Sequence, residues 1–107
     1  MSTQYSGRPR KRFGQHFLTD QGVLQQLVTA LGLQARDCIF EIGPGQGALT
    51  DQLYPQISLE HGKYAGIEID RDLVPWLKAR FAAMQLLNDD VLKVDLAEFL
   101  DSSSDWR

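Results

Sequence analysis

A single cysteine, Cys38, is all this 107-residue chain carries, which excludes an internal disulfide framework and any multi-cysteine zinc site. It lies in an apolar run and reads as a buried strand thiol of a reducing, cytoplasmic compartment. With 2 histidines and no ligand-like spacing of His, Cys, Asp and Glu, no metal site is expected. No apolar run approaches the roughly 20 residues of a membrane span, so no membrane partner is expected. The start of the chain lacks the apolar core of a secretory signal. What remains is one soluble unit, 43% hydrophobic and 23% charged. Its length supports one modest core and is short for a complete doubly wound domain.

The net charge of −3 conceals an asymmetry. Arg8, Arg10, Lys11 and Arg12 against Asp20 make the first 20 residues +3, and the remainder carries −6. A basic arm over residues 1–12 on an acidic body over 13–107 points to a polyanion met by the arm, such as RNA. A solvated terminus and an organelle transit peptide share this composition. Phe13 to Leu18 is mixed and compact, as in an ordered loop.

From there the pattern alternates between helix and strand. Thr19 or Asp20 can cap a helix whose apolar face is Val23, Leu24, Leu27, Val28 and Leu31, with Gly32 at the stop. Residues 38–42 are nearly all apolar, as in a strand covered on both faces. After the glycines, Leu49 and Leu53 mark a helix that ends near Pro55. Residues 64–69 read as a second strand. Asp70 or Asp72 is expected to cap the next helix, with Pro75 in its first turn and Val74, Leu77 and Phe81 on its buried side. Residues 84–87 make a short third strand, Asp95 caps a last helix with Leu96, Phe99 and Leu100, and residues 101–105 form a loop. This order predicts a parallel βαβαβ half-sheet.

The most informative stretch is Ile39-Phe40-Glu41-Ile42-Gly43-Pro44-Gly45-Gln46-Gly47-Ala48-Leu49, a strand running through a glycine turn into a helix. Glycine there lets a ligand touch bare backbone, and the helix start directs N–H groups at it. Pro44 removes one N–H, so the turn suits a pyrophosphate less well than an all-donor loop. Glu68 follows Gly45 by 23 positions, near the roughly 20-residue offset of a ribose-binding carboxylate. A carboxylate there disfavours a 2′-phosphate. Asp90, after the third strand, falls on the same carboxyl edge and can accept from an adenine amine; Asp89 competes for that role, one of the pair being a turn residue. By spacing alone, Gly43, Gly45 and Ala48 also fit G-x-G-x-x-[GA], so a nicotinamide-dependent oxidoreductase fragment stays open.

Arg12-Phe13-Gly14-Gln15-His16-Phe17-Leu18, Glu41-Ile42-Gly43-Pro44-Gly45-Gln46-Gly47 and Glu68-Ile69-Asp70 closely resemble the ribosomal RNA adenine dimethyltransferase family, from about Arg8 to Leu100. The resemblance implies the N-terminal half, about three parallel strands, of a Rossmann-like S-adenosylmethionine-dependent methyltransferase sheet. It implies dimethylation of N6 on two adjacent adenines near the 3′ end of small-subunit rRNA, with that rRNA or a pre-assembled subunit as partner. His16 and Leu18 then line the methionine side of S-adenosylmethionine, Gly43 lies beneath it, Glu68 takes the ribose and Asp90 the adenine. The erythromycin-resistance methylases of large-subunit rRNA share much of the pattern, though Lys11-Arg12-Phe13-Gly14-Gln15 resembles the small-subunit enzymes more.

The sequence contains no Asn-Leu-Pro-Tyr, the family's target-adenine motif at the end of a fourth strand. No catalytic residue is therefore expected within the chain. It is expected to bind cofactor without transferring methyl groups. The family implies a monomer for the longer enzyme. In a 3-2-1-4-5 sheet a missing fourth strand leaves residues 39–42 as a bare edge, which predicts self-association. A non-catalytic RNA-binding module is the remaining alternative, and it would show salt-sensitive binding through residues 1–12.

Overall fold

The computed structural model describes residues 20–101 and 103–107. The basic arm, the Phe13–Leu18 block, and with them Arg8, Arg10, Lys11, Arg12, His16 and Leu18, lie outside the described residues.

Helix α1 spans Gln21–Leu31. Its first turn is capped by Asp20, whose side chain accepts from Gly22 N–H at 2.8 Å and Val23 N–H at 3.2 Å. Gly32 ends it in the left-handed conformation, φ +53°. Strand β1 is Cys38–Ile42, and helix α2 is Ala48–Leu53, which tightens into a 3-10 turn at Tyr54–Gln56 where Pro55 stops it. Strand β2 is Lys63–Glu68, helix α3 Val74–Arg80 with Pro75 in its first turn, and strand β3 Gln85–Asn88. A 3-10 turn at Val91–Lys93 precedes helix α4, Leu96–Phe99, which Asp95 caps through Ala97 N–H at 3.0 Å.

The three strands form one parallel sheet in the order β1-β2-β3. Ile39, Leu53, Ile57, Tyr64, Leu73, Leu77, Phe81 and Met84 make the core between one sheet face and the helices. Each side chain so buried contributes roughly 1.5–3 kcal/mol before the cost of ordering it. Tyr54 packs edge-on against both Tyr64 and Phe81, and Arg80 pairs with Asp51 at 2.8 Å, tying α3 to α2.

Three expectations are corrected. Residues 38–42 are covered on both faces only up to the strand end: Cys38, Ile39 and Glu41 are buried and Phe40 is half-buried, whereas Ile42 is 61% exposed. On the face carrying Phe40, that ring makes an edge-on contact with Phe99 of the short helix α4. Neither Asp70 nor Asp72 occupies the α3 cap position, which falls on Leu73 without a side-chain bond. Asp70 instead accepts from Asp72 N–H at 3.0 Å and closes the turn that precedes the helix. Finally, the chain past the loop returns to β1. Phe40 N–H donates to Arg107 C=O at 2.8 Å and Arg107 N–H to Cys38 C=O at 2.7 Å, a parallel pairing that covers the first part of the β1 edge. Asp101 anchors this return, holding Lys63 Nζ at 2.6 Å and accepting from Trp106 Nε1 at 2.8 Å.

Candidate functional site

The parallel register brings three strand ends to one edge. Gly43 N–H continues the β1 ladder onto Ile67 C=O at 2.8 Å, and Glu68 stands opposite Asn88. Gly43, Glu68 and the Asn88–Asp90 segment therefore share the carboxyl edge, where open α/β sheets bind ligands.

Between β1 and α2 the chain makes a turn that only glycine permits at its key positions. Gly43, Gly45 and Gly47 have φ of +67°, +60° and +83°. The two end glycines differ in surroundings. Among the described residues, a Cβ on Gly43 would meet nothing within 4 Å, which leaves its backbone open to a ligand. A Cβ on Gly47 would lie 2.9 Å from the Phe81 ring, so Gly47 serves the approach of α3. Pro44 is fully buried and pins the turn between them.

Glu68 lies across this turn. Only 2% exposed, it accepts from Gly45 N–H through Oε1 at 2.7 Å and from Asp70 N–H through Oε2 at 2.9 Å. Each carboxylate oxygen has two lone pairs, so with the described residues alone capacity remains for two further hydroxyl donors. Asp89 and Asp90 are both engaged locally. Asp89 Oδ1 accepts from Asp90 N–H at 2.7 Å, and Asp90 Oδ1 caps the 3-10 turn through Leu92 N–H at 3.0 Å. Asp90 is the less exposed of the two.

Two contributors were not foreseen as site residues. Asn88 Nδ2 donates to Glu68 C=O at 2.8 Å, clamping the end of β2 to the end of β3. Glu41 is a buried carboxyl, 7% exposed, whose Oε1 accepts from Thr50 Oγ1 and Tyr64 OH, each at 2.7 Å. Its Oε2 has no partner among the described residues. Burial raises the Glu41 pKa above its ordinary value, opposed by the two hydroxyls and assisted by the charge of Glu68. Burial and the neighbouring Glu41 likewise raise the Tyr64 pKa. The signal for Glu41 was its position as the only charged residue in the strand Cys38–Ile42. Asn88 is the last residue of β3, so its place on the edge was readable, but its bond to Glu68 C=O was not. Among the described residues, no group of three or more His, Cys, Asp or Glu could hold a metal ion, and no helix is long and apolar enough to cross a membrane.

Among solved structures, the chain is similar to a dimethyladenosine transferase from Plasmodium falciparum, with TM-score 0.59 and 26% identity over 71% of this chain and 28% of that one. It also shares the fold of the 23S rRNA methyltransferase ErmE, at TM-score 0.55 and 22% identity over 71% of this chain and 31% of that one. A three-stranded parallel sheet with a glycine turn at its carboxyl edge is here the N-terminal half of a Rossmann-like methyltransferase sheet. The family model for ribosomal RNA adenine dimethylase matches residues 7–105, and the chain belongs to that family.

Curated relatives agree. The chain is 47% identical to a ribosomal RNA small subunit methyltransferase A from Picosynechococcus over 96 residues, covering 87% of this chain and 34% of that protein. It is 40% identical to the protein of the same name from Pseudomonas aeruginosa, covering 100% of this chain and 40% of the relative. The chain thus spans about a third of the length of the curated relatives it matches.

Proposed function

We propose that this chain is the cofactor-binding part of a small-subunit rRNA adenine N6-dimethyltransferase, and that it binds S-adenosylmethionine at the carboxyl edge of its sheet. The observation that carries this reading is Glu68, a buried carboxylate set across the glycine turn with lone pairs remaining on both oxygens. That arrangement fits a ribose diol beside an open backbone at Gly43. Asp90 is assigned to the adenine amine, and His16 and Leu18 to the methionine end.

S-adenosylmethionine would supply an electrophilic methyl group. The residues of this chain bind and orient it: Gly43 leaves room for close approach, Glu68 fixes the ribose, and Asp90 sets the adenine. Arg8, Arg10, Lys11 and Arg12 are assigned to the RNA backbone, a contact that would weaken as salt rises. The small-subunit substrate follows the curated relatives. The target adenine must be extruded from its stack and its N6 oriented, which in this family falls to Asn-Leu-Pro-Tyr. That tetrapeptide is not in this sequence. The chain alone therefore binds cofactor and transfers no methyl groups.

Calorimetry with S-adenosylhomocysteine and with NAD tests the reading. Binding of the first and not the second is expected. NAD binding without S-adenosylhomocysteine binding would sink the assignment in favour of a nicotinamide enzyme. Methyl transfer to small subunits by the chain alone would overturn the division of labour.

A further inference from the structure

Two carboxylates hold the glycine turn, and only one of them faces the proposed ligand. Glu68 grips the middle of the turn through Gly45 N–H. Glu41 closes its base. Glu41 is the second residue before Gly43 and lies with Ile39 on the core face of β1, following the two-residue period of a strand. Its Oε1 gathers two hydroxyls from different elements: Thr50 from the first turn of α2 and Tyr64 from β2. Thr50 is 0% exposed and lies 9 residues after Glu41, so their hydrogen bond shuts the whole Gly43–Gly47 segment into a loop. Tyr64, opposite Ile39 in the ladder, reaches forward along β2 to the same oxygen.

As a source of stability this arrangement is poor. It buries a carboxyl, leaves Oε2 without a partner among the described residues, and places it near a second acid, Glu68. An apolar residue at this place in the strand would avoid all three costs. What an apolar residue cannot do is fix the start of α2 against the end of β1 by directed bonds.

We propose that Glu41 is a positioning residue for the cofactor turn, acting through Thr50 and Tyr64 to hold Gly43–Gly47 in its ligand-accepting geometry. The inference rests on the cofactor reading above, and its test separates the two. In the ligand-free chain, amide hydrogen exchange is followed by NMR at Gly45 and Gly47, whose N–H groups bond Glu68 and Pro44, and at Leu77, whose N–H bonds Leu73 within the core. S-adenosylhomocysteine affinity is measured on the same proteins. Thr50→Val and Tyr64→Phe each remove one hydroxyl at nearly constant shape, and Thr50→Ser restores the first.

The expected result is about tenfold faster exchange at Gly45 and Gly47 in Thr50→Val and Tyr64→Phe, with a smaller change at Leu77 and recovery in Thr50→Ser; affinity falls by about the same factor. Equal acceleration at all three amides would mean a merely structural bond and would overturn the proposal, as would unchanged exchange at the glycines. If the exchange pattern appears but the wild-type chain binds no S-adenosylhomocysteine, the cofactor reading fails while the role of Glu41 in the turn stands.

Discussion

Gly45 N–H donates to Glu68 Oε1 across 2.7 Å, joining the turn after β1 to the last residue of β2. The carboxylate assigned to the ribose thus also holds the glycine turn before any ligand arrives. Glu68→Gln keeps the shape but turns an acceptor into a donor, so one of the two backbone N–H groups loses its partner. We expect a stability loss of about 1–3 kcal/mol and at least tenfold weaker S-adenosylhomocysteine binding. Urea denaturation and calorimetry on the same protein measure the two losses.

Gly43 and Gly47 both have positive φ, yet alanine should affect them differently. At Gly43 the new methyl meets none of the described residues, so the cost to folding is the left-handed backbone, roughly 1–2 kcal/mol, and the main effect falls on ligand approach. At Gly47 the same backbone cost is joined by a 2.9 Å approach to Phe81. Gly47→Ala should therefore unfold at clearly lower urea than Gly43→Ala, while Gly43→Ala loses more cofactor affinity than its stability accounts for. Equal midpoints would contradict the difference in surroundings.

Burial places the Glu41 pKa above its ordinary value of 4.5. Below that value the group is neutral in both folded and unfolded chains and has no effect on the balance. As pH rises past it, the unfolded chain ionises first, and stability falls by up to about 1.4 kcal/mol per pH unit until the folded carboxyl also titrates. Glu41→Gln removes this slope. The stability of the variant minus that of the wild type should grow with pH above the ordinary value, then level off. A difference that stays flat between about pH 4 and about pH 8 would rule out the raised value.

Among the described residues, the β1 edge is covered only where Arg107 pairs with Cys38 and Phe40, and Ile42 stands 61% exposed beyond it. An apolar edge of this kind invites pairing with a second copy. Sedimentation should show association that rises with concentration, and Ile42→Lys should shift the distribution toward monomer. Removing residues 106–107 should shift it the other way. A compact monomer at every concentration, in all three chains, would contradict the edge argument.

The alternation of elements was legible because each is coded locally. Asp20 and Gly32 bracket α1, Pro55 stops α2, Pro75 opens α3 and Asp95 starts α4, all by backbone chemistry within a few residues. The placement of Gly43, Glu68 and Asp90 on one sheet edge was legible for a related reason. A parallel sheet sends every strand's carboxyl end to one edge, so position after a strand predicts place on that edge.

Tertiary packing decided the rest. Asn88 acts on the site only because β3 lies beside β2 in a register that sets it opposite Glu68. Glu41 is a hub only because α2 folds back and Tyr64 reaches along a neighbouring strand, contacts spanning 9 and 23 residues that no local pattern encodes. The same holds for the return of Trp106 and Arg107 to β1, which residues 101–105 alone read as a loop. The sequence by itself determined which elements form and which strand ends carry polar groups, because those follow from short-range backbone preferences. Only the folded structure decided how the glycine turn is held, because its two carboxylates act through partners distant in the chain.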